Sequence, residues 1–176
     1  MSADNDSYDN KLDGLICALD DKGPDELTRA LLAEVEAARA LIGHQMELPE
    51  TDRVLQAVRD RLSNTITASE CELYGTALNR YIHDYTHTHR FATTRRGKAL
   101  VNYWQACASL TSVETNGNSS YFLCFQLMDF TLRWTGCSEI EVRCEQLDHL
   151  EAALDPSLLW DPHIPEGRGR ISMLAD

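Results

Sequence analysis

Tyr121-Phe122-Leu123-Cys124-Phe125-Gln126-Leu127-Met128-Asp129-Phe130-Thr131-Leu132-Arg133-Trp134 is the most apolar stretch of the chain. Its reading decides the fold. The polar residues Gln126, Asp129 and Arg133 fall at i, i+3 and i+7. On a helix this spacing makes one narrow solvent strip along an otherwise buried cylinder. Met128, Phe130, Leu132 and Trp134 also alternate as in a strand, so a β reading of this stretch stays open. Gly136 closes the stretch. Ser138 and Glu141 then form a capping box ahead of Ile140, Cys144, Leu147, Leu150 and Leu154, which continue with helical spacing.

The segments on the N-terminal side have the same period. Thr67 and Glu70 form another capping box, before a helix that runs to about Arg90 with Leu73, Ala77, Tyr81 and Tyr85 facing inward. A further helix from about Thr94 buries Leu100, Val101, Trp104, Cys107 and Ala108. Nearer the N-terminus, Leu12, Leu15, Ile16 and Leu19 share one face of a helix over Tyr8 to Asp21, which Gly23-Pro24 ends. Asp25 is placed to cap the next helix, Gly43 to close it, and Thr51 to cap a shorter one carrying Leu55, Val58 and Leu62. The uneven helix starts exclude a solenoid of repeats. The expected architecture is all-α: a single compact bundle of about seven helices over residues 1–155. Residues 156–176 read as an irregular tail. It keeps apolar Leu158, Leu159, Trp160, Ile171, Met173 and Leu174, as a strap or docking segment would.

A chain of 176 residues suits one domain. Its 43% hydrophobic and 25% charged residues exclude a collagen-like or mostly disordered chain. With 28 acidic and 16 basic side chains the net charge is −12, which opposes general binding to nucleic acid or anionic lipid. The acidic start lacks the basic and apolar parts of a signal peptide, and no apolar run is long enough to span a bilayer. The expected setting is cytoplasmic, away from membranes. The six cysteines form no CxxC pair and are expected to be buried, reduced thiols.

Charge is distributed unevenly. Between Arg80 and Lys98 lie five basic residues and one acid, which leaves the rest of the chain at −16. At about 100° per residue, Arg80, His83, His87 and Arg90 fall in one arc of their helix, and Arg95, Arg96 and Lys98 follow at the next helix start. These seven residues form a candidate cationic ridge for phosphates or for an acidic protein surface, and the imidazoles add charge in acid. A plainer reading is a solvated face that offsets residues 1–26, which carry eight acids and two lysines.

His83 and His87 also stand at i, i+4, a spacing that lets two imidazoles meet one metal. The dipeptide His83-Asp84, after Tyr81-Ile82, resembles the core of the HD-domain phosphohydrolases, which are all-helical. That resemblance implies a divalent transition metal held by His44, His83, Asp84 and Asp148. Leu147-Asp148-His149-Leu150 resembles the Asp-His motif of chaperones that mature redox enzymes, without the proline that precedes the motif in that family. No nucleophile elbow, phosphate loop, dinucleotide fingerprint or EF-hand loop occurs in the sequence.

These observations favour a non-catalytic helical interaction protein with no cofactor: a small subunit, adaptor, inhibitor or maturation factor with a protein partner in a multiprotein assembly. Two alternatives remain. One is a nucleic-acid-contacting small subunit of a ribonucleoprotein-type complex that uses residues 80–98. The other is a metal-dependent phosphohydrolase of the HD type.

Overall fold

The computed structural model describes residues 2–43 and 48–155, with side chains from Ser7 onward. Among these residues there are seven α-helices: α1 (Ser2–Asp21), α2 (Pro24–Ile42), α3 (Pro49–Leu62), α4 (Ala68–Thr88), α5 (Arg95–Leu110), α6 (Asn118–Thr135) and α7 (Glu139–Leu154). A 3₁₀ turn, Arg90–Thr93, joins α4 to α5. The all-α expectation holds, and the ambiguous stretch is helical. The apolar tail residues Leu158, Leu159, Trp160, Ile171, Met173 and Leu174, and His44, lie outside the described residues.

Both capping boxes are formed. The Glu70 N–H donates to Thr67 Oγ1 at 3.2 Å, and the Thr67 N–H donates to the Glu70 carboxylate at 2.8 Å. Ser138 and Glu141 repeat the arrangement at α7. Thr94 caps α5 by accepting the Gly97 N–H at 3.0 Å. Two other starts differ from expectation because of proline. Pro24 and Pro49 occupy the first helical turn, where a missing N–H costs nothing and the ring presets φ. The caps therefore fall on the residues just before the prolines, Gly23 and Leu48, two positions ahead of Asp25 and three ahead of Thr51. Asp25 sits in the first turn of α2 and pairs with Arg61 at 3.2 Å. Thr51 is buried and donates to the Leu48 carbonyl at 2.7 Å. We expect Thr67→Ala to lower stability by about 1 kcal/mol, measured by urea unfolding. An unchanged midpoint would mean the box at α4 contributes nothing.

α5 is the central helix. It packs on α6 along its length and also contacts α2, α3, α4 and the 3₁₀ turn. Small residues on its buried face (Ala99, Ala106, Cys107 and Ala108) admit close neighbours, while Tyr103 and Trp104 supply bulk. Tyr103 meets the fully buried Phe130 of α6 with ring centroids 5.7 Å apart. α2 packs on α5, α6 and α7, and α1 packs on α2 and α7.

Two helix faces and some of the cysteines depart from the sequence reading. α4 buries Cys71, Gly75, Leu78 and Ile82, while Leu73 is 67% exposed, Ala77 is exposed, and Tyr81 and Tyr85 are half-buried. The helix is turned so that Gly75 meets α5. A Cβ at Gly75 would lie 2.8 Å from the Ala108 carbonyl oxygen, so the missing side chain lets the two backbones approach. On α6, Asp129 is exposed as expected, but its exposed neighbours are Phe122 and Phe125, and Gln126 and Arg133 are half-buried. Of the cysteines, Cys71, Cys107 and Cys124 are buried, while Cys17 and Cys144 are exposed. Burial pushes the Cys71 thiol up to about 11 and the Cys107 thiol up to about 12, so both remain protonated packing groups.

Candidate anion-binding surface

α4 ends because its last turn satisfies itself locally. The Thr86 hydroxyl donates to the His83 carbonyl at 2.9 Å, and the Thr88 hydroxyl to the Asp84 carbonyl at 2.7 Å. His89 is then extended and stacks on Tyr85, with ring centroids 4.4 Å apart. Arg90 therefore lies on the 3₁₀ turn and not on the helical arc expected of it. The turn is held by Thr94, whose hydroxyl donates to the Phe91 carbonyl at 2.7 Å while accepting the Gly97 N–H. Gly97 is buried against the turn, and this contact fixes where α5 starts.

All seven predicted ridge residues, Arg80, His83, His87, Arg90, Arg95, Arg96 and Lys98, are exposed. The His83 and His87 rings lie 4.3 Å apart on the outer face of α4, and His87 Nδ1 is 2.7 Å from the His83 carbonyl oxygen. Arg95 and Arg96 are tied to α6. Arg95 donates to the Leu132 carbonyl at 3.1 Å, a favourable place for a cation at a helix C-terminus. The Arg96 guanidinium lies over the Trp134 ring at 5.4 Å. Arg80, Arg90 and Lys98 have no carboxylate partner among the described residues. By contrast, Arg29, Arg39, Arg59, Arg61 and Arg143 each pair with an acid of the bundle.

This contrast bears on the charge-offset reading. α1 carries six aspartates and one lysine, but it packs on α2 and α7, whereas α4 packs on α3, α5 and the 3₁₀ turn. No ion pair joins α1 to the ridge among the described residues. The sequence reading also missed a contributor. Arg133 of α6 lines a shallow hollow with Lys98 and Asp129, beside the Thr86 and Thr93 hydroxyls. Its signal was the antiparallel return of α6 along α5, which brings the end of one helix to the start of the other.

The described members of the implied metal site, His83, Asp84 and Asp148, are not assembled. His83 and Asp84 are on α4, and Asp148 is on α7, which packs on α1, α2 and α6. Among the described residues no group of three or more His, Cys, Asp or Glu side chains is placed to hold an ion. Asp148 and His149 point different ways: Asp148 is exposed, while His149 turns inward toward Glu34 of α2 at 3.0 Å. No described helix is long and apolar enough to cross a membrane. Comparison with protein-family models, curated proteins and solved structures found no match to this chain.

Proposed function

We propose that this protein acts by binding, as a non-catalytic helical component of a multiprotein assembly that holds an anionic partner surface against the α4–α5 corner. One observation carries the reading: Arg80, Arg90 and Lys98 stand exposed with no carboxylate partner among the described residues, while most other arginines of the bundle are paired. Exposed like charges repel one another and return little stability to the fold. An opposing surface supplies what they lack, and complementary charge sets both the rate and the choice of encounter. With a net charge of −12, the rest of the molecule repels a long polyanion. That favours a protein surface over nucleic acid.

The test is capture of the tagged protein from its own cell, with and without nuclease, beside a variant with Arg80→Glu, Arg90→Glu and Lys98→Glu. Arg95 and Arg96 are left intact because they anchor α6. A stoichiometric protein that survives nuclease, and falls at least tenfold in the variant, is the expected result. A partner lost on nuclease treatment would assign the ridge to nucleic acid. A partner retained in full by the variant, or no partner in either arm, would overturn the reading.

A further inference from the structure

We infer that the outer face of α4 seats an acidic amphipathic helix of a partner protein, with its apolar end in the groove between α3 and α4 and its carboxylates along Arg80, His83 and His87. This inference rests on the cationic-surface reading and names its partner.

The groove supplies the apolar end. Ile66, Leu73, Tyr74 and Ala77 line it, together with Arg53 and Glu50 of α3 and with Glu70, whose carboxylate is held by Thr67. Leu73 is 67% exposed and Tyr74 is 44% exposed. Single exposed apolar residues are ordinary, but neighbouring ones in a concave site are a feature of contact surfaces. Leu73 is not among the residues that α4 buries, which are Cys71, Gly75, Leu78 and Ile82.

The cations continue the same line. Leu73, Thr76, Arg80, His83 and His87 are separated by 3, 4, 3 and 4 positions, the spacing of a seam between two helices. All five are exposed, and Thr76, Arg80 and His83 line a shallow hollow together with Asn79 and Asp84. From Leu73 to His87 the seam is about 21 Å long, so about four helical turns would cover it. Arg90 stands just past its end. Asp84 is the one acid on this part of α4, while Glu70 and Glu72 are engaged with Thr67 and Thr115 at the other end.

The mixed character of the strip selects the occupant. A phosphate backbone satisfies the arginine and imidazoles but leaves Leu73 and Tyr74 uncovered. A wholly apolar helix covers the groove but strands the cations without counter-charge, at a desolvation cost. A helix with two apolar residues at i, i+4 and acids on the same stripe in the following turns meets both halves. Recognition of a helix in a groove by such anchors is a common mode.

The experiment selects a phage-displayed library of random 16-residue peptides on the folded full-length chain, then measures synthetic copies of the winners by fluorescence anisotropy. The expected winners carry apolar anchors at helical spacing followed by Asp or Glu on the same face. Leu73→Asp and Arg80→Glu should each weaken them tenfold or more. Replacing the facing acid of the peptide by lysine should restore binding to the Arg80→Glu variant. Both positions are exposed, so both variants should keep the wild-type circular dichroism and urea midpoint. No enriched sequence, winners without acids, or indifference to Leu73→Asp would overturn the inference. A twenty-nucleotide oligouridine tested in parallel separates the two readings. If only the RNA binds, and Arg80→Glu abolishes it, the cationic surface stands and the helical partner falls. If Arg80→Glu changes nothing for any ligand, both fall.

Discussion

Gly97→Ala is expected to destabilise the protein by about 1–3 kcal/mol, although alanine is the better helix former. The usual gain from replacing a helical glycine by alanine is about 1 kcal/mol. At Gly97 a Cβ would lie 2.6 Å from the Phe91 carbonyl carbon, 2.9 Å from the Ala92 Cα, and closer still to the Phe91 carbonyl oxygen. These are backbone atoms of the 3₁₀ turn, so no side chain can rotate away. Overpacking of a well-fitted site typically costs 1–3 kcal/mol, and more where backbone must move. The clash therefore outweighs the propensity gain. Gly14 of α1 is the control, because a Cβ there meets nothing within 4 Å. Gly14→Ala should raise stability by up to about 1 kcal/mol, so the two substitutions should shift the urea midpoint in opposite directions. Equal shifts would mean that the turn does not press on α5. Gly97→Ala should also weaken any ligand of the ridge, since Arg90 lies on the displaced turn and Arg95, Arg96 and Lys98 flank it.

Another glycine, Gly75, shows where the sequence could and could not be read. Helix starts were legible where a side chain writes the signal, as at Thr67, Thr94 and Ser138. The face of α4 was not. An apolar count selects Leu73, Ala77, Tyr81 and Tyr85, because Gly75 adds nothing to such a count. Its role lies in the space it leaves for Ala108 of α5 and for Thr111 at that helix's C-cap, a property of the neighbouring helix that no local pattern encodes. On α6, polarity marked Asp129 as exposed, yet Phe122 and Phe125 share the exposure. A hydrophobic residue on the surface breaks no physical rule, so patterning alone cannot place it. The ridge was legible because it is a local run of charge on one helix and the next start. Which cations stay unpaired was not, since Arg95 and Arg96 are held by Leu132 and Trp134, far away in sequence.

The pairing of His149 with Glu34 was equally hidden, and it carries the remaining large expectation. α7 buries few apolar residues and is docked largely by polar ones. Gln146 donates to the Cys124 carbonyl at 3.0 Å and accepts from the Tyr8 hydroxyl, and the Arg143 guanidinium lies 4.7 Å from the Tyr8 ring centroid. His149 pairs with Glu34 of α2 at 3.0 Å, with side-chain exposures of 22% and 10%. The hydrogen bond to Glu34 raises the His149 pKa above its ordinary value. Desolvation opposes this, and the charges of Glu34, Glu145 and Asp148 add to it. Because the folded pKa is the higher one, the pair's contribution is complete below the unfolded imidazole value of about 6.5 and disappears as pH rises through the folded value. Glu34→Gln removes it. The pair is neither surface-exposed nor fully buried, so its loss should cost about 1–3 kcal/mol, between the usual ranges for exposed and buried ion pairs. Urea unfolding at pH 6 should show that deficit, and at pH 9 wild type and variant should nearly coincide. Hydrogen exchange at pH 6 should locate the loosening in α7, with the central α5 still protected. A deficit that is constant with pH, or that grows toward pH 9, would show that α7 is held to α2 by packing and not by the charged pair.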